Sequence, residues 1–528
     1  MSDAEPALKS VLERPGDLAA RLAYADALSA RQDPLGEFIR LDCGLSDTPW
    51  VSDDNLGAWD RRYALLEAHA GSWLGPLKGV VDCRRIERGL VDWVMLDLDA
   101  FLEHGAEIFG RYPVQSLAIR GIHGRVAEFL ASPWVDRIKE LTLYGPGAFG
   151  YGRRAESLSA FEPLDDDDVA ELAASDRLRS LQGLDLEHHE GLGPRSVERI
   201  LDSPWCDRLE MLRLKWTAVG DEGARLIASS DRLESLRRLE LTRCGLGEAG
   251  IRALADSPTL ARLGLTEFIC YLNDDVDTDG YVRLLRSPVL AHVESICMEG
   301  HVGAEMVDAL MTSDSLGCMK SLHMNVSIDT IAFRRLMRST ALAGLESLTF
   351  VLSRLTDEHL GMLGASRSLS NLKALSLSET RVTEAGIERF CRSPVWGGLE
   401  ELGIDRHALT ERSVRAILDA HWFPRLKSLD LHASYEIGDA GAQALASYRG
   451  ETSLRRLVLS LGGLGDAGAL SLAEAPFAPQ LWTLWLLGNE EISPEAVDIL
   501  KARFGGRVTI HEPAGYEDDW RFQPSDRC

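Results

Sequence analysis

At 528 residues the chain is too long for one ordinary hydrophobic core, so it divides into domains or runs as a repeat array. Apolar residues make up 45% and charged residues 26%, as in a folded globular protein, while the net charge of −25 opposes binding to nucleic-acid phosphates or to anionic membrane surfaces. No apolar run approaches the roughly 18 residues of a membrane span, and the start MSDAEPALKS lacks the basic-then-apolar pattern of a signal peptide. The nine cysteines include no CxxC pair, which is expected of reduced, buried thiols in a cytoplasmic protein.

In chain order, residues 4–14 are predicted helical and end at Pro15-Gly16. Asp17 is placed to cap a second helix over 18–30, Asp33-Pro34 breaks the chain, and further helices come at 36–45 and 56–70. This part of the chain has helix-packing residues and no paired reactive groups. Tyr24-Ala25-Asp26, Asp33-Pro34, Gly36-Glu37-Phe38-Ile39-Arg40-Leu41 and WLGPL at 73–77 resemble the bacterial repeat-companion domain, a short helical module that precedes repeat arrays. That family commonly has Trp after its Tyr-Ala-Asp, where this chain has Ala27. The resemblance covers about residues 4–78 and brings no known activity. Residues 1–78 are therefore expected to be a domain that covers the exposed first face of a repeat array.

Beyond residue 78 the chain is repetitive. The phrase apolar-x-x-apolar-x-apolar recurs as VQSLAI at 114, IKELTL at 138, LQGLDL at 181, LEMLRL at 209, LRRLEL at 236 and LARLGL at 260. Val293 and Met319 begin weaker copies, and LESLTF, LKALSL, LEELGI, LKSLDL, LRRLVL and LWTLWL start at 345, 372, 399, 426, 454 and 481. These last six are spaced by 27, 27, 27, 28 and 27 residues, and a degenerate first copy falls at 89–98. Each phrase has the alternation of a strand. Each is succeeded by a segment with helical spacing, as in GDEGARLIAS (220–229), GEAGIRALADS (247–257), TEAGIERFCRS (383–393) and GDAGAQALAS (438–447). A Gly, Thr or Ser beside an acidic residue opens most of these helices, and Ser-Pro closes several.

A strand and a helix of about 27 residues cannot bury both apolar faces alone, so neighbours must stack. The pattern resembles leucine-rich repeats of the ribonuclease-inhibitor type over roughly 89–511. It implies an α/β fold: a solenoid of about 15 repeats over 79–511, shaped as a horseshoe with a parallel sheet on the concave face and helices on the convex face. Three residues after the last apolar residue of each phrase stands a turn position, here Thr217, Cys244, Thr380, His407 and Asn489, and His189 fits the same place. The family usually has Asn or Cys there. Residues 512–528 form an acidic, aromatic tail. Tyr516, Trp520 and Phe522 could close the far end, or the segment could remain disordered.

Two spacings are long: 43 residues between 138 and 181, and 33 between 260 and 293. They imply loops inserted over 144–168 and 268–280. Within the second, Asp275, Asp277, Asp279 and Gly280 fit half of a calcium loop, but Arg286 stands where the bidentate Glu is needed. Asp165–Asp168 reads as a charged helix start, and adjacent His188 and His189 lack further metal ligands. No nucleophile elbow, phosphate loop, metalloprotease motif or dinucleotide fingerprint occurs.

The remaining resource is surface. The third, fifth and seventh residues of each phrase should face the concave side. They run from basic (Arg213, Lys215, Arg238, Arg262) through neutral (His323, Asn325) to acidic (Glu401, Asp405, Asp430), with Trp482 and Trp485 near the end. The reading is a monomeric, non-catalytic module that binds a protein or peptide there, with no cofactor, no metal, no nucleic acid and no membrane. The alternatives are an enzyme or regulatory subunit that uses the two inserted loops, or a structural scaffold.

Overall fold

The computed structural model describes residues 4–46, 55–81, 83–146, 161–271, 273 and 278–510. It forms two compact units, one extending to Ala291 and one beginning at His292. The tail beyond 511, most of the 144–168 loop, and Asp275 and Asp277 of the calcium reading lie outside the described residues.

The first unit opens with α1 (Ala4–Glu13), α2 (Leu18–Ser29), α3 (Pro34–Leu45) and α4 (Leu56–Leu74). Asp17 caps α2 by accepting the Ala19 and Ala20 amides, as the sequence predicts, whereas Asp33, expected only to break the chain, caps α3 with Pro34 at its first position, so the helix begins before residue 36. An antiparallel hairpin comes next, β1 (Cys83–Glu87) and β2 (Leu90–Asp97). The helices sit directly on its turn. Arg21 donates to the Glu87 and Arg88 carbonyls at 3.0 and 3.1 Å. Gly89, at φ +80°, lies so close that a Cβ there would be 2.4 Å from Ile39 Cα. Arg137 donates to the Leu12 carbonyl at 2.9 Å, tying α1 to the second repeat.

From β2 the strands run parallel: β3 (Ser116–Arg120), β4 (Glu140–Leu143), β5 (Gly183–Asp185), β6 (Met211–Arg213), β7 (Arg238–Glu240) and β8 (Glu267–Ile269). Val94, Leu117, Leu141, Leu184, Leu212, Leu239 and Phe268 stand in one register row. All are buried. At about 1.5–3 kcal/mol for each fully buried side chain, rows of this kind exist only when neighbours stack.

The second unit repeats the pattern with β9 (Ser295–Val302), β10 (Ser321–Ile328), β11 (Ser347–Val351), β12 (Ala374–Ser378), β13 (Glu401–Asp405), β14 (Ser428–Asp430), β15 (Arg456–Val458), β16 (Thr483–Trp485) and β17 (Val508–Thr509), each parallel to the next. Each unit is therefore an α/β solenoid of strand–helix repeats. No helix among the described residues is long and apolar enough to cross a membrane.

One repeat boundary differs from the sequence reading. LARLGL at 260 is not a strand phrase: Pro258–Leu263 is a helix capped by Ser257. The strand phrase is Leu265-x-x-Phe268-x-Cys270, which places Asn273 at the turn position. The spacing to Val293 is then 28 residues, and 268–280 is not a long insertion. Asn273 does what the turn position requires. Its side chain accepts the Cys244 and Leu246 amides at 2.9 and 3.2 Å and donates to the Leu241 and Cys270 carbonyls. Asn489 makes the same four bonds in the second unit.

Two further residue types stitch repeats together. Asp221 accepts the Gly247 and Gly250 amides at 2.7 and 2.8 Å, so a carboxylate in one helix caps the next repeat's helix. The serine of Ser-Pro reaches the other way: Ser257 and Ser287 donate to the Ala228 and Ala255 carbonyls, each at 2.5 Å. Ser257 also accepts the Leu260 amide. Ser257→Ala removes both bonds at a buried site. It is expected to cost about 1–3 kcal/mol, read as a lowered urea midpoint at unchanged slope.

Candidate functional site

In both units the apolar strand positions are buried, and the alternate positions form the opposite face, which is open along β10–β13 but closed over at β3 and β5, where every strand residue is buried. β10 shows it most plainly, with Leu322, Met324, Val326 and Ile328 inside and Ser321, His323, Asn325 and Ser327 half-buried on the open side. Pleating alone dictates this, because successive side chains point to opposite sides of a strand.

In the first unit the open face carries Arg213, Lys215 and Arg238, as expected, but it is not basic. The same rows hold carboxylates. Arg213 pairs with Glu240 at 3.4 Å and with Glu267 at 2.9 Å. Arg238 reaches Glu140 at 3.4 Å, across the intervening strands and over the bare position of Gly183. Arg85 of β1 pairs with Asp92 of β2. Asp185 and Glu187 complete the set of inward carboxylates on this side. Burial pushes Asp92 up to about 6 and Glu187 up to about 7, and it holds Asp185 well above the usual carboxylate range. The basic patch read from sequence is thus a mixed ion lattice with more acids than bases. Arg262 is not part of it: it lies exposed on the helix Pro258–Leu263, because the phrase that placed it was out of register.

In the second unit His323 and Asn325 lie on the open side of β10, and His323 Nε2 is 3.1 Å from Ser321 Oγ. Glu401 and Asp405 lie on β13, where Asp405 accepts the Ser378 hydroxyl at 2.6 Å. Asp430 accepts the His432 amide and pairs with Arg456 at 3.4 Å, and burial raises its pKa. Trp485 is half-buried on the open side with the Arg456 guanidinium 5.4 Å above its ring. Trp482, expected on the same surface, is 4% exposed, so it is a packing residue beside Arg455. It occupies the second place of its phrase, which does not share the open-face alternation.

That second place has an order the sequence reading did not use. Glu294, Lys320, Glu346, Lys373, Glu400 and Lys427 alternate in charge from repeat to repeat. Lys320 meets Glu294 at 2.6 Å, Lys373 meets Glu346 at 2.8 Å, and Lys427 meets Glu400 at 3.4 Å. A second row lies just past the strands, where His188, Trp216, Arg243, Leu352, Glu379, Arg406, Ala433 and Leu461 all have positive φ. Trp216 stacks between His188 (5.3 Å between ring centroids) and the Arg243 guanidinium (4.3 Å). In the second unit this rim borders a groove of about 580 Å3 that includes Arg406, His432, Leu461 and the 63% exposed Tyr435. A larger groove, about 950 Å3, lies in the first unit between α2, α4 and α5 (Leu98–Arg111), walled by Tyr24, Trp73 and Tyr112.

The histidine pair has a structural role. His189 Nδ1 accepts the Leu164 amide at 3.0 Å, its Nε2 donates to the Leu143 carbonyl at 3.0 Å, and burial pushes its pKa down to about 4. It is the turn residue of its repeat. Asp165–Asp168 is the predicted charged helix start, with a capping box between Asp165 and Asp168. Among the described residues, His123, Asp165 and Asp168 are grouped closely enough to hold a metal ion. Their donors are already committed: Asp168 accepts the Gly124 and Asp165 amides and meets His123 Nδ1 at 2.6 Å. That bond raises the His123 pKa. Burial draws the Asp168 carboxyl upward, but His123 and the two amides hold it below the usual range. The arrangement is a helix cap locked by an imidazole. Asp279, from the calcium reading, pairs with Arg252 at 2.8 Å.

These features define a protein built from leucine-rich repeats. The leucine-rich repeat family model matches residues 232–255 and 451–473, one stretch in each unit. No curated protein matches the chain. Among solved structures, a chain of the Rad7–Elc1 complex in yeast is 14% identical, with 89% of this chain and 92% of that chain covered and a TM-score of 0.35. An internalin (inlF) from Listeria monocytogenes str. 4b F2365 is 14% identical over 69% of this chain and 93% of that one, at a TM-score of 0.31. The TLR13–ssRNA13 complex gives 14% identity over 76% of this chain and 57% of that chain, at 0.33. The fold rests on the strand ladders described above rather than on these superpositions.

Proposed function

We propose that the chain is a non-catalytic binding module whose open sheet face engages a protein or peptide partner. The observation that carries this reading is the row of inward ionic side chains on β4–β8. Polar and charged groups fill positions that a purely structural sheet could leave small and neutral, and mixed charges orient a partner. The helical module 1–78 acts as the cap of the first repeat, in keeping with its resemblance to the repeat-companion domain, and the array over 79–511 is of the ribonuclease-inhibitor type. The protein works as a monomer in the cytoplasm.

Affinity capture with the full chain tests this. A partner retained by the wild type and lost by both Arg238→Glu, which sets a third carboxylate beside Glu140 and Glu267, and Trp485→Ala supports the reading. A partner retained equally by both variants contradicts it.

A further inference from the structure

The inward carboxylates of the first unit fall into two groups. Glu140, Glu240, Glu267 and Asp92 each face an arginine: Arg238 for the first, Arg213 for the next two and Arg85 for the last. Asp185 and Glu187 do not. Asp185 is 6% exposed, and its carboxylate accepts one hydrogen bond, from the Glu187 amide at 3.2 Å. Among the described residues no cationic nitrogen lies within ion-pair distance of either carboxylate. A buried carboxylate without a cation is costly, and it is seldom kept for stability alone. Its neighbours offset that cost only in part: Arg213 and Lys215 attract Asp185 and Glu187, but neither closes an ion pair with them. Thr142 stands beside Asp185 on β4, with Glu140 further along that strand, and Arg213 beside it on β6 is shared between Glu240 and Glu267. Lys215 and His188 stand near Glu187 without pairing to it.

We propose that Asp185 and Glu187 form the receiving site for a basic side chain of the partner, so that the segment bound on this face is arginine- or lysine-rich. The inference rests on the open-face binding reading and adds the partner's chemistry. The incoming ammonium or guanidinium supplies the close ion-pair partner that these two carboxylates lack among the described residues, in a place where desolvation strengthens the pairing. With Glu187 raised to about 7 by burial, a proton and the cation compete for the same oxygens. Binding therefore releases a proton near neutral pH, and affinity falls by about tenfold from pH 8 to pH 6.

The test uses the full chain and an octa-arginine peptide in calorimetry, at matched salt and in buffers of different ionisation enthalpy. The expected result is proton release on binding by the wild type and at least a tenfold loss of affinity in Asp185→Asn/Glu187→Gln. Glu171→Gln/Glu198→Gln removes two exposed helix carboxylates and should stay within twofold of wild type. Equal weakening in the two double variants, or binding without proton release, would overturn the assignment and leave only general attraction to an acidic chain. Tighter peptide binding by tenfold in Arg153→Ala/Arg154→Ala, which removes two adjacent arginines of the 144–168 stretch, would assign the site to those residues instead and would equally overturn it. A partner still captured while the peptide fails to bind sinks this inference alone. A partner lost from every open-face contact while the peptide binds sinks the broader reading.

Discussion

Asp42→Ala is expected to destabilise the N-terminal helices by about 3–5 kcal/mol, the cost of breaking a buried ion pair from one side. Asp42 and Arg62 are 4% and 1% exposed. The Arg62 guanidinium donates to Asp42 Oδ1 and sits 5.3–5.7 Å from the rings of Phe38, Trp59 and Tyr63. Without the carboxylate, that charge is left inside an aromatic shell with no counter-ion. The other oxygen of Asp42 accepts the Gly89 amide at 2.5 Å in the β1–β2 turn, so the same substitution also frees the hairpin from the helices. Urea unfolding should lose a large part of the stability, and amide exchange should rise first at Gly89 and along α3 and α4. Asp42→Asn keeps an acceptor for Gly89 and should cost less. A loss under about 1 kcal/mol for Asp42→Ala, the scale of an exposed pair, would mean that the pair does not hold the helices to the hairpin.

The second large effect reverses a common expectation. Glycine in a helix is ordinarily improved by alanine, by about 1 kcal/mol. Gly468→Ala should instead cost about 2–3 kcal/mol. Asp439 of the preceding repeat accepts the Gly465 and Gly468 amides, both at 2.8 Å. A Cβ at 468 would lie 2.5 Å from that carboxylate oxygen and 2.8 Å from Asp439 Cα. The backbone approach prevents the side chain from simply swinging aside, so the new methyl displaces the cap that joins two repeats. Gly250 meets Asp221 in the same way. Asp439→Ala alone should cost about 1–2 kcal/mol as a lost cap. The double variant should lose less than the sum, because each change removes the same bonds. Strict additivity of the urea midpoints would contradict this.

Much of this was legible in the sequence. The 27-residue period, the alternation of strand and helix, the cap Asp17, the charged helix start Asp165–Asp168 and the turn role of His189 all come from local chemistry. The error at 260 also has a local cause. Leu260 and Leu263, three apart on a helix, imitate the spacing of a strand phrase, while Phe268 and Cys270 occupy the true leucine places. Aligning Asn273 with Asn489 would have exposed it. The function of the Gly-Asp-Ala-Gly helix openings stayed hidden because their partners are in the adjacent repeat: the Asp caps one neighbour and the Gly makes room for the other. The open face was misjudged for a simpler reason. The arginines stand out along the chain, whereas the carboxylates that neutralise them lie one or more repeats away on the same face. Trp482 is close to Trp485 in sequence, yet it is a place out of phase with the open side.

The central claim is that the open face, not the helical face, receives the partner. Photo-cross-linking tests it most directly, with benzoylphenylalanine placed in turn at Thr142 and Thr349 on the open side and at Arg225 and Arg334 on exposed helix positions. The account predicts adducts from Thr142 or Thr349 and none from the two arginine positions. Adducts confined to Arg225 and Arg334 would place the partner on the helices and contradict it.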